Sequence, residues 1–188
     1  PVQPPRQVFL PAAAESAAAV RRLRNHTSLA LWCGNNENQW LHALGAYGKA
    51  SSRLLGERLY DGVLPEVVAA EDPGRAYWPG SPTGTGADPS GDDDGDSHYW
   101  NVWHGEGDWT HYVKCRARFV SEFGAQSVPD RGGEFIDASR WPQIDWEALR
   151  EHHGLEVEVM AQRVPPDEHP TFDAWRMATQ RNQASILR

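Results

Sequence analysis

The chain has 188 residues and a formal net charge of −8, a size that suits one soluble domain or part of a larger one. The acidic balance argues against a nucleic-acid partner, because phosphate neutralisation needs clustered Lys and Arg, and the tightest basic cluster is the trio Arg21, Arg22 and Arg24. No apolar run approaches the ~20 residues that span a bilayer, which argues against a membrane protein.

Nine Trp residues supply flat apolar faces with a rim donor, suited to core filling or to stacking on sugar rings. Cys33 and Cys115 lie far apart without metal-ligand spacing, so two reduced thiols are expected. The N-terminus shows no charged segment leading into an apolar one, so no secretory leader is visible. The cytoplasm is the expected compartment.

In chain order, residues 1–7 read as irregular. Residues 12–24 are Ala-rich and end in a basic turn, which predicts a helix whose C-terminal dipole is met by cations. The apolar run 29–33 stops at Gly34, as a buried strand would. A polar loop containing Asn35, Asn36 and Glu37 follows, and a second helix is expected from about residue 39. Residues 52–70 read as helix broken at Pro65, and residues 76–82 as a short aromatic strand closed by Pro and Gly.

The segment 83–97 is acidic, has no apolar anchor and reads as a disordered loop. As a calcium loop it lacks the first acid and the final bidentate Glu. Residues 98–105 read as another aromatic strand, 109–117 as helix and 118–124 as a fourth strand. Helices are expected again over 145–153 and 172–187. Strands alternating with helices predict an α/β fold with a parallel sheet, open or closed as a barrel.

Two of these strands end in glutamate, Glu37 past the first and Glu122 on the last. In a (β/α)8 barrel, chemistry is carried at strand C-terminal ends. Two carboxylates facing one another are the minimum equipment for glycoside hydrolysis: one protonates the leaving oxygen and the other attacks the anomeric carbon. Helix capping or ion pairing is the structural alternative. Asn36 adds an amide suited to a substrate hydroxyl.

The run RNHTSLALWCGNNEN resembles the acid/base motif of the glycoside hydrolase family 2 β-mannosidases, and RFVSEFGAQSVP resembles their nucleophile motif. Between them, AEDPGRAYWPGSP and GDSHYWNVWHG are similar to the intervening strand ends. The similarity covers residues 20–135, with further support from FDAWRMATQRNQA. It implies that Glu37 is the acid/base, Glu122 the nucleophile and Asn36 a substrate-binding residue, with Trp78, Trp103 and His104 as candidate sugar contacts. It also implies retaining hydrolysis of terminal β-mannosyl units from β-mannoside oligosaccharides, with no cofactor and no metal. Thr27 stands where the family usually has Pro, and Gly80 where it usually has Ser.

The expected architecture is one domain over 1–188, a partial (β/α)8 catalytic barrel holding about strands four to seven. The β-sandwich domains of the family are absent from it. Such a piece is expected to have low activity alone. The competing readings are another specificity of the same family (β-galactosidase, β-glucuronidase or exo-β-glucosaminidase) and a non-catalytic carbohydrate-binding module. Oligomeric state is not legible.

Overall fold

The computed structural model describes residues 6–46, 53–105, 108–129 and 137–188. The chain divides into two units. The first comprises residues 1–98 and 116–121, the second residues 99–115 and 122–188. Most of the expected irregular N-terminus, residues 1–5, lies outside the described residues, and the helix α1 already begins at Arg6.

In the first unit, α1 spans Arg6–Leu23 and carries Arg21 and Arg22 in its last turn, where positive charge suits the helix dipole. It packs on α3, Leu64–Glu71. Val20 and Val68 are buried, and the Arg21 Nε–H donates to Glu71 Oε2 at 2.8 Å. The helix expected over 52–70 instead starts as a π-helical turn at Leu59–Val63. Pro65 then sits in the first turn of α3, which continues directly from that π-helical turn, so the expected break at Pro65 is a change of helical hydrogen bonding rather than a stop.

Strand β1, Leu31–Cys33, pairs in parallel with β2, Ala76–Trp78, in the register Leu31 with Ala76, Trp32 with Tyr77 and Cys33 with Trp78. The backbone continues this pairing past the strands. Gly34 N–H donates to Trp78 O at 2.9 Å, Ser81 N–H to Asn35 O at 3.0 Å, and Glu37 N–H to Ser81 O at 2.7 Å. Helix α2, Asn38–Ala43, follows directly. The remaining strands, β3 at Ser97–Tyr99 and β4 at Val120–Phe123, form a separate two-stranded sheet. At the β3 start, Ser97 N–H donates to Phe119 O at 2.9 Å.

The expected partial (β/α)8 barrel is therefore not what the chain forms. Among the described residues there are four strands of three or four residues, joined two by two, and helices dominate. The aromatic run 98–105 shows the physical reason. Only its first residues stay extended, and Asn101–Gly105 coil into a π-helical turn, at whose start His104 N–H donates to Trp100 O at 2.9 Å. Val102 and Trp103 are adjacent in sequence and each 1% exposed. A strand would send them to opposite faces, whereas a helical turn lets both enter one core. Likewise, the run 76–82 stops being a strand after Trp78, where Pro79 has no N–H for a ladder.

The second unit is built on α4 (Trp146–His153), α5 (Val157–Arg163) and α6 (Phe172–Ile186). Asp145 caps α4 by accepting from Ala148 N–H, and Thr171 caps α6 by accepting from Ala174 N–H, each satisfying a donor left open by the helix start. Gly154 ends α4 at φ 57, the left-handed position that glycine takes without strain. The expected helix over 109–117 is a 3-10 turn, Trp109–Lys114.

Trp175 and Met160 are fully buried at the centre of this unit. Rings of Trp141, Trp146 and Phe172 pack on Trp175 at 5.6, 5.9 and 6.1 Å, and its Nε1–H donates to Val164 O at 2.8 Å. Helix α6 also ties down the segment after β4. Gln183 Nε2–H donates to Ala125 O at 2.5 Å, Gln180 Nε2–H to Val128 O at 2.9 Å, and Val128 N–H to Thr179 Oγ1 at 3.0 Å.

Candidate active site

Glu37 occupies the turn between β1 and α2, and it is the only non-glycine among the described residues with positive φ (φ 61, ψ 1). This left-handed conformation costs a side-chain-bearing residue roughly 1–2 kcal/mol. The surrounding bonds hold it there. Glu37 N–H is taken by Ser81 O, and Glu37 O accepts from Leu41 N–H at 2.8 Å. Asn35 braces the same turn: its Nδ2 donates to Pro79 O at 2.7 Å and to Gln39 Oε1 at 3.0 Å, and its Oδ1 accepts from Asn38 N–H at 3.0 Å. A side chain on Gly34 would collide with the Pro79 carbonyl and the Tyr77 hydroxyl, and one on Gly80 would meet the Gln39 amide. Strain over-determined by its neighbours is characteristic of functional positions.

The Glu37 carboxylate lies 2.8 Å from Nδ1 of His98, whose side chain is fully buried while that of Glu37 is 22% exposed. His98 Nε2 lies 2.9 Å from Ser81 Oγ, and the Ser81 hydroxyl donates to Asp96 Oδ2 at 2.6 Å. Asp96 is 1% exposed. It also accepts from the Ser121 hydroxyl, and from Thr83 N–H at 2.7 Å. The Trp40 ring meets that of His98 edge-on at 6.3 Å.

The same unit contains two raised titrations. Burial chiefly pushes the Tyr77 phenol above its ordinary value, with nearby Asp61 adding to the effect, and its hydroxyl donates to Tyr60 O at 2.6 Å. Cys33 is exposed as a residue, yet desolvation of its thiol, and then the negative charge of Asp96, push that thiol up.

Asn36 bridges to Ser81 in the extension of the β1 and β2 pairing. Trp78 is partly buried and meets Phe119 edge-on at 6.0 Å.

In the second unit, Glu122 is partly buried on β4. Trp100 Nε1–H donates to Glu122 Oε2 at 3.4 Å, and the adjacent turn is fixed by the Tyr112 hydroxyl donating to Gly124 O at 3.0 Å. Trp103 is buried, with Nε1–H on Gln126 Oε1 at 2.5 Å, so its ring belongs to the core. The same Gln126 oxygen accepts from Glu156 N–H at 3.0 Å. His104 is exposed, its ring 5.1 Å from that of Trp100 and its Nδ1 2.6 Å from Glu156 Oε1.

Sequence reasoning missed Ser81, Asp96, His98 and Trp100. The signal was available in DSHYW, where small polar and ionisable residues precede an aromatic run. Buried polar residues leave no periodic trace, however, and only the fold shows that Asp96 and His98 share one serine.

No protein-family model matches the chain. It is 39% identical over 126 residues to Beta-mannosidase B of Thermothelomyces thermophilus, covering 61% of this chain and 15% of that protein. It is 38% identical over 144 residues to Beta-mannosidase B of Aspergillus fumigatus, covering 69% of this chain and 17% of the relative. Among solved structures, it is similar to the beta-D-mannosidase of Dictyoglomus thermophilum, with a TM-score of 0.79 and 32% identity over 98% of this chain and 23% of that one. The chain thus spans about one sixth of the length of these curated relatives.

Proposed function

We propose that this chain, which is related to one segment of the glycoside hydrolase family 2 β-mannosidases, carries the catalytic carboxylates of a retaining β-mannosidase. Glu37 is the acid/base and Glu122 the nucleophile. The observation that carries this reading is Glu37 itself. A strained residue in the turn after a strand, with its carboxylate bound by a buried imidazole and still open to solvent, is equipment that a helix cap does not need. The likeness in sequence and structure to proteins named β-mannosidase supports the same reading.

In the proposed reaction Glu122 attacks the anomeric carbon of a terminal β-mannosyl unit, while Glu37 gives its proton to the departing glycosidic oxygen. The C1–O bond breaks and a mannosyl ester on Glu122 forms. Water then attacks that ester, Glu37 takes the water's proton, and mannose leaves with its β configuration retained. Retention requires the two carboxylates to be about 5–5.5 Å apart. The reaction needs no cofactor. Asn36, Trp78 and His104 are proposed sugar contacts, and Trp103 acts through its hold on Gln126. The isolated chain is proposed to have little or no activity.

The test is release of nitrophenol from an aryl β-mannoside by the complete protein containing this chain. Glu122→Ala should abolish it, and the product should be released as the β anomer. Preference for the β-galactoside, β-glucuronide or β-glucosaminide would move the specificity elsewhere in the family. Unimpaired turnover in Glu122→Ala would overturn the assignment.

A further inference from the structure

The polar chain behind Glu37 has a direction, and hydrogen counting reveals it. Asp96 is almost fully buried and takes three donors, from Thr83 N–H, the Ser81 hydroxyl and the Ser121 hydroxyl. A carboxylate oxygen that receives N–H and O–H donors acts as an acceptor. A hydroxyl owns a single proton. Since Ser81 gives its proton to Asp96, it can only accept from His98, and Nε2, 2.9 Å away, must carry a hydrogen.

This bears on the other ring nitrogen. With Nε2 protonated, the bond between Nδ1 and Glu37 Oε1 at 2.8 Å contains one proton. The proton sits either on the Glu37 carboxyl, facing a neutral imidazole, or on Nδ1, facing a carboxylate. In both arrangements the pair is loaded.

We propose that Asp96, Ser81 and His98 form a positioning relay that keeps the Glu37–His98 pair loaded with the proton delivered to the leaving group. The proposal rests on the acid/base role given to Glu37 above. Delivery leaves the Glu37 carboxylate beside a neutral, Nε2-protonated His98, and the water of the second step returns the proton, so the relay is regenerated without another reactant. A merely structural network would fix the fold equally for every substrate. A relay matters only where the leaving group needs a proton.

The experiment compares kcat/KM for two β-mannosides in the complete protein. One releases dinitrophenolate, which departs without protonation, and the other releases an alkyl alcohol, which does not. For His98→Ala the alkyl mannoside should lose about 100-fold or more, the usual contribution of a positioned acid, while the dinitrophenyl mannoside stays within about fivefold. Retention of the second rate also shows that the variant folds. Ser81→Ala, which leaves the imidazole in place but cuts it from Asp96, should show the same selectivity with a smaller loss than His98→Ala. Equal losses on both substrates, or no loss on either, would overturn the relay while the catalytic reading stands. Absence of hydrolysis by the unaltered protein would remove that reading and the relay with it.

Discussion

Replacing Glu37 by glycine and, separately, by alanine isolates the backbone strain at the proposed acid. Both variants lose the carboxylate and its bond to His98, so that loss cancels between them. What differs is φ 61. Alanine in the left-handed region keeps a cost of roughly 1–2 kcal/mol, while glycine relieves it but adds about 0.4–1 kcal/mol of unfolded-state freedom. The net is about 0–1.6 kcal/mol in favour of glycine, about 0.8 kcal/mol at the centre of the range. With a urea slope of about 2 kcal/mol per molar for a domain of this size, the glycine variant should unfold about 0.4 M later than the alanine variant, and at most about 0.8 M later. Far-UV circular dichroism through a urea titration reads this directly. A more stable alanine variant would refute the claim that the fold holds Glu37 against its own preference.

Three further outcomes follow from other parts of the molecule. Trp175→Ala should destabilise the second unit by about 3–5 kcal/mol, the usual cost of emptying a buried aromatic site, whereas Trp175→Phe should lose far less; thermal unfolding by circular dichroism distinguishes them. Asp96→Asn should lower the Cys33 thiol titration, because the Asp96 charge is one of the two causes that raise it; the pH dependence of iodoacetamide labelling at Cys33, read by peptide mass spectrometry, checks this. The Asp94 carboxyl is held below its ordinary value by the Thr85 hydroxyl and N–H. Its contribution is therefore present above the unfolded carboxyl value and lost as pH falls through the folded one. Thr85→Val should move the Asp94 titration upward in an NMR pH series.

Helices α1, α4 and α6 were legible in the sequence because their signals are local, whereas α5 was not read and the helix expected over 109–117 is a 3-10 turn. The Asp145 and Thr171 caps, Gly154 and the basic end of α1 each mark a boundary through the residues nearest to it. The strands were not legible to the same degree, because an aromatic β-branched run says only that its residues suit an extended, half-buried surface. Whether 98–105 stays extended depends on where Val102 and Trp103 are buried, and that is decided by α4 to α6, far along the chain. The carboxylates Glu37 and Glu122 were visible as residues. The conformation of Glu37, the burial of His98 and the three donors on Asp96 were not, since each is set by residues tens of positions away.

Ser81 explains how strain and protonation come to be controlled together at Glu37. Its carbonyl accepts the Glu37 N–H, its own N–H is taken by Asn35, and its hydroxyl joins His98 to Asp96. The backbone of Ser81 therefore fixes the turn that carries the carboxylate, and its side chain fixes the hydrogen on the imidazole that faces it. Glu37 could not relax out of the left-handed region without giving up both the Ser81 carbonyl and the approach to Nδ1. The conformational cost at Glu37 is thus offset by the same serine that sets the tautomer of His98, which is why the two features occur at one residue.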